Sequence, residues 1–240
     1  MDKNQFILNY RNAFGNYELP IGIWYSDEPI VEPVKTRGCF IKDIKPAREG
    51  QIISLNIDCI SCPGGKVYTG FMQVPPFLPG FVSDKERYKD TPSMVTEFLT
   101  DLNIPNKSGK YINFASIENI DNFEGLEGVI FFATPDVMTG LVSWTLLDTN
   151  KPDAVSVPFA SGCSAVIAQT IVENRDGGHR AFLGLFDPSV RPQIESNILS
   201  LAIPMSRFKE MYYTFAKSCL QGTRAWVKVK ERIEKDGICN

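Results

Sequence analysis

Val129-Ile130-Phe131-Phe132-Ala133, followed by Thr134-Pro135-Asp136 and a helical pattern that runs to Leu147, is the stretch that decides the fold. A short apolar run of β-branched and aromatic residues reads as a strand, and Pro135 then stands where proline is favoured, in the first turn of a helix. The pattern recurs immediately. Asp153 to Phe159 reads as a strand and Gly162 to Glu173 as a helix, with Ser161 as its N-cap. Repeated strand-then-helix order predicts an α/β (or α+β) fold with a mixed, partly parallel sheet flanked by helices.

Outward from that core, Ala181 to Phe186 and Ile198 to Ile203 are predicted strands, and Met205 to Leu220 and Arg224 to Lys235 are predicted helices. Phe208, Met211, Tyr212, Phe215 and Cys219 share one stripe of the first of these. Toward the N-terminus, Phe6, Ile7, Tyr10 and Phe14 fall at helical spacing after Asp2 and are closed by Gly15. Pro20 to Tyr25, Gln51 to Ile57 and Tyr111 to Ile117 read as strands, and Ser93 to Leu102 as a helix. Between them, residues 74–92 are rich in proline and aromatics, which predicts an extended loop or lid. The whole of 1–240 is expected to be one domain, because 240 residues suffice for a single full-sized core.

Composition narrows the function classes. Hydrophobic residues make up 43% and charged residues 22%, the balance of an ordinary globular protein. A net charge of -3 with interspersed signs supplies no basic field, so nucleic acid is not an expected partner. No apolar run reaches the roughly 20 residues of a membrane span, and Met1 to Tyr10 lacks a signal-peptide layout. A cytoplasmic protein is expected. The chain has one histidine, His179, so an HExxH zinc site is excluded, and Gly65-Lys66 lacks the remainder of a phosphate loop.

Six cysteines in such a chain read as reduced thiols, not a disulfide framework. Cys59 and Cys62 follow one predicted strand, Cys163 sits in the first turn after another, and Cys39 lies in the connection after Tyr25. In open α/β sheets ligands gather beyond the carboxyl ends of strands, so one sheet edge is expected to collect all four. Helix N-termini lower thiol pKa values, which makes these sulfurs candidate thiolates for an iron-sulfur cluster or zinc, and therefore candidate ligands. Gly64 and Gly65 would let backbone amides approach a sulfur or an anion. Two other readings stand beside this one. A metal-free cleft could grip a small anionic ligand with Gly64, Gly65, Ser161 and Arg191, or Cys59 and Cys62 could form a dithiol oxidoreductase. Small thiols also fill gaps in buried sheets; Cys219, on an apolar stripe, reads as core, and Cys239 as a tail thiol.

Arg37-Gly38-Cys39, Glu49-Gly50, Cys62-Pro63-Gly64-Gly65, the Val129 to Leu141 unit, Ser161-Gly162-Cys163 and the Gly184 to Arg191 turn, taken in order, resemble domain-of-unknown-function family 169, the uncharacterised ArCR proteins of archaea and bacteria. That resemblance draws attention to Cys39, Cys62 and Cys163 and implies no activity. The late turn departs from the family pattern at Phe186 to Arg191.

Overall fold

The computed structural model describes residues 1–104, 107–159 and 162–238, with side chains through residue 235. Seven strands form one sheet: β1 (Ile21–Ser26), β2 (Ile53–Leu55), β3 (Tyr111–Ser116), β4 (Gly128–Ala133), β5 (Val155–Ser156), β6 (Ala181–Gly184) and β7 (Leu199–Pro204). Their order is β2-β3-β1-β4-β7-β6-β5, every pair antiparallel except β5 with β6. The sheet is therefore mixed and partly parallel, with a single parallel pair at one edge.

The helices are α1 (Lys3–Phe14), α2 (Phe40–Asp43), α3 (Lys45–Arg48), α4 (Pro63–Tyr68), α5 (Leu78–Gly80), α6 (Pro92–Leu102), α7 (Pro135–Thr145), α8 (Thr170–Arg175), α9 (Met205–Thr214) and α10 (Arg224–Ile238). They make layers on both faces. One core joins Phe6, Tyr10, Trp144, Phe208 and Trp226 to Val129 and Phe131; the other joins Phe40, Ile41, Val166 and Ile167 to Ile130 and Phe132. Successive side chains of a strand point to opposite faces. The decisive run at 129–133 is apolar throughout because it supplies both cores at once.

Several boundaries differ from the expectation. The strand predicted at Gln51 to Ile57 shrinks to Ile53–Leu55, because the Asn56 side chain accepts from the amides of Asp58 and Cys59, both at 3.0 Å, and turns the chain. The strand predicted at Asp153 to Phe159 keeps only Val155–Ser156, flanked by Pro152 and Pro158, which donate no backbone hydrogen bond. The helix after it opens as a wide π-type segment, Ser164–Gln169, before α8. The predicted cap Ser161 lies outside the described residues. The 74–92 segment is not wholly irregular: it holds α5 and a second π-type turn, Phe81–Lys85, with Ser83 buried and bonded to the Pro79 carbonyl at 3.0 Å. Among the described residues no helix is long and apolar enough to cross a membrane.

Candidate functional site

Hydrogen bonds stitch two loops together above the second core. Thr36 donates to the Cys59 carbonyl from its amide at 2.9 Å and from its hydroxyl at 3.1 Å, Ser61 N donates to the Thr36 hydroxyl at 3.1 Å, and Gly38 N donates to the Ser61 hydroxyl at 3.0 Å. Cys39 and Cys62, at the ends of these stretches, become the N-caps of α2 and α4. The Cys62 sulfur accepts from the Gly65 amide at 3.4 Å. A Cβ on Gly65 would sit 2.8 Å from Phe40 Cβ, so the missing side chain lets α4 settle against α2. At Gly64 the same atom would make only ordinary contact, 3.8 Å from Cys62 Sγ.

The third thiol arrives from the other end of the second-face layer. Cys163 caps the π-type segment after β5, and its neighbour Gly162 is wedged beside the 187–190 turn, where an added Cβ would stand 2.8 Å from Val190 and 3.4 Å from Asp187 Oδ2. Asp187 is steadied by Ser189, whose amide and hydroxyl donate to its Oδ1 at 2.9 and 2.8 Å. Burial pushes the Cys163 thiol well above the ordinary range, and charge on Cys62, Cys39 and Asp187 raises it further. Burial likewise raises Cys39, opposed by the amides of Ile41 and Lys42 and reinforced by Cys62 and Asp43. The hydroxyl of Tyr68, at the end of α4, is also held neutral by burial, with Cys163 and Asp187 adding to the effect. Cys39, Cys62 and Cys163 thus stand close enough for the ionisation of one to oppose that of the others.

Two features of the site differ from the expectation. β1 and β2 run parallel to each other and antiparallel to β5, so the exits leading to Cys39 and Cys62 and the exit leading to Cys163 lie at opposite ends of the sheet. No single carboxyl edge collects the thiols; the helical layer over the second face does. The expected depression of thiol pKa is also reversed at Cys39 and Cys163. A helix of four residues, such as α2, has little dipole, and burial outweighs it.

The remaining candidates go elsewhere. Cys59 is buried in the second core beside Ile60. Arg191 spends its guanidinium on the carbonyls of Leu185, Ile198, Glu195 and Ser196, at 3.3, 2.6, 3.1 and 2.8 Å, and so braces its own loop. Cys219 packs against the first core, as expected of a stripe residue. Among the described residues no three His, Cys, Asp or Glu side chains stand grouped to hold a single metal ion. The 74–92 segment borders the thiols: Tyr88 faces Asp187 and Ser189, and Lys89 Nζ lies 4.8 Å above the Phe159 ring. Tyr68 was not legible in the sequence, and Asp187 was legible only as a turn cap. Asp187 carried the signal of a turn cap, which it is, and Tyr68 carried no signal beyond its place six residues after Cys62.

No curated protein and no solved structure matches the chain. The family model of DUF169, described as uncharacterised ArCR, matches residues 11–213. A match over that span takes in β1 to β7 and all three clustered thiols, and the chain belongs to the DUF169 family.

Proposed function

We propose that Cys39, Cys62 and Cys163 are the protein ligands of an iron-sulfur cluster, seated between α2, α4 and the π-type segment that Cys163 opens. The observation that carries this reading is the convergence of three thiols from three separate segments on one partly buried place. Their surroundings favour a cationic guest over an anionic one. The charged groups that act most on Cys39 and Cys163 are other thiols, Asp43 and Asp187. Several thiolates in a low-dielectric place repel one another, and a soft metal relieves that repulsion by coordinating them as it displaces their protons. A cluster several atoms wide can take each thiol on a different iron, an arrangement that does not need three ligands around one ion.

The same features weigh against the other two readings. An anion would meet acidic neighbours, and Arg191 is occupied by carbonyls. A Cys59–Cys62 dithiol would need a thiol that instead packs in the second core. With three protein thiolates, one iron of a four-iron cluster would keep a position for an exogenous ligand, which permits Lewis-acid chemistry as well as electron transfer. Anaerobic purification, or reconstitution with ferrous iron and sulfide, is the test. Brown protein with near-equal iron and acid-labile sulfide supports the proposal, and colourless protein that takes up neither after reconstitution contradicts it.

A further inference from the structure

A second polar cleft, of about 600 Å³, opens where β5 and β6 begin, at the opposite end of β5 from Cys163. Its most informative group is His179, the only imidazole in the chain. His179 Nδ1 lies 3.0 Å from Glu210 Oε2, and Glu210 is gripped in turn by Arg207 Nη1 at 2.8 Å. Arg207 is only 3% exposed and is itself anchored on Asp148 and on the Thr145 carbonyl. With the ring proton on Nδ1, Glu210 accepts it, and Nε2, to which no hydrogen bond is made among the described residues, is left as an acceptor turned away from Glu210. Arg207 Nε is buried without a hydrogen-bond partner among the described residues.

Charge then selects the ligand class. Asp148, Asp153, Glu173 and Glu210 supply four negative charges to the walls, and Lys151, Arg180 and Arg207 three positive ones, leaving one negative in excess. Arg207 is shared by Asp148 and Glu210, and Arg180 is taken up by Glu173 at 2.9 Å through its Nε. Lys151 makes no ion pair among the described residues. A simple anion would meet net negative charge, and a simple cation would leave Lys151 unanswered. We propose that this cleft binds a small zwitterion of the amino-acid class, its ammonium donating to His179 Nε2, on the side of the ring away from Glu210, and its carboxylate meeting Lys151.

A single histidine makes the test direct, because the imidazole region of a proton–nitrogen spectrum of the full-length chain contains one ring. The common amino acids, glycine included, would be titrated one at a time to about 10 mM, a range that covers weak small-ligand binding. Methylamine and acetate would serve as the two half-ligands. At least one amino acid is expected to move the His179 nitrogens saturably, with affinity at least tenfold weaker in Lys151→Met and Glu210→Gln. The amide spectrum of each variant checks its fold, and Lys151 is exposed, so its replacement leaves the core intact. No saturable shift with any amino acid overturns the proposal. So does a shift produced as strongly by methylamine or acetate alone, which would mark a site for one charge only.

Discussion

Single side chains set the chemistry of the thiol site by what surrounds them. Cys163 is the clearest case: burial acts first, Cys62, Cys39 and Asp187 add to it, and all four effects favour the neutral thiol. A raised pKa means that the reactive thiolate is scarce at neutral pH and gains population only as pH climbs past the ordinary thiol range. In metal-free protein, alkylation of Cys163 is therefore expected to lag an unstructured thiol at pH 7.5 by more than tenfold, and to accelerate only above about pH 9. Peptide mass mapping after timed iodoacetamide exposure checks this; rapid labelling of Cys163 at pH 7.5 would contradict the assigned environment. The residue scale is also where sequence reasoning erred. A cysteine at a helix start is visible in a sequence, but the depth of its burial is set by chain segments far away, here the 187–190 turn and α4. Arg191 misled for a related reason, since the carbonyls that consume it come from Leu185 to Ile198 as that loop folds back.

At the scale of elements, most of what formed was legible. α1 begins on the Asp2 side chain, which accepts from Gln5 N at 2.8 Å, and α7 begins at Pro135, both as capping rules require. Less legible were the lengths of β2 and β5, trimmed by an asparagine turn and by flanking prolines, and the opening of the helix after β5 into a π-type segment that carries Cys163. Helix packing gives a sharp prediction on the other face. A Cβ on Gly140 of α7 would collide with the Trp226 ring of α10 and lie 2.9 Å from Leu220. Trp226 has little room to yield, because its indole donates to the Ala13 carbonyl at 3.1 Å and meets Phe14 edge-on. Helix propensity alone would make Gly140→Ala stabilising by about 1 kcal/mol, but overpacking costs about 1–3 kcal/mol, so the net sign is expected to be destabilising. A lower urea midpoint at unchanged slope is the expected result, and a raised midpoint would show that α7 and α10 are not packed this tightly.

For the molecule as a whole, one sheet separates two chemistries. The first-face layer of α1, α7, α9 and α10 is dominated by aromatic packing, and the second-face layer of α2, α3, α4 and α8 holds the thiols. Strand-then-helix repetition correctly indicated a mixed sheet between helical layers, because period and capping are local properties. It did not indicate that five of the six neighbouring strand pairs would be antiparallel, since strand direction depends on which partners a connection reaches. Cys39, Cys62 and Cys163 influence one another over one face of the sheet, and Cys59, three residues from Cys62, is buried in the second core. Cys59 therefore provides the sharpest comparison. Iron and acid-labile sulfide would be determined on anaerobically reconstituted wild type and on the single Cys39→Ser, Cys59→Ser, Cys62→Ser and Cys163→Ser variants. Iron is expected to fall at least severalfold in the Cys39, Cys62 and Cys163 variants while Cys59→Ser keeps the wild-type content; loss of iron in Cys59→Ser with retention in Cys163→Ser would overturn the three-thiol assignment.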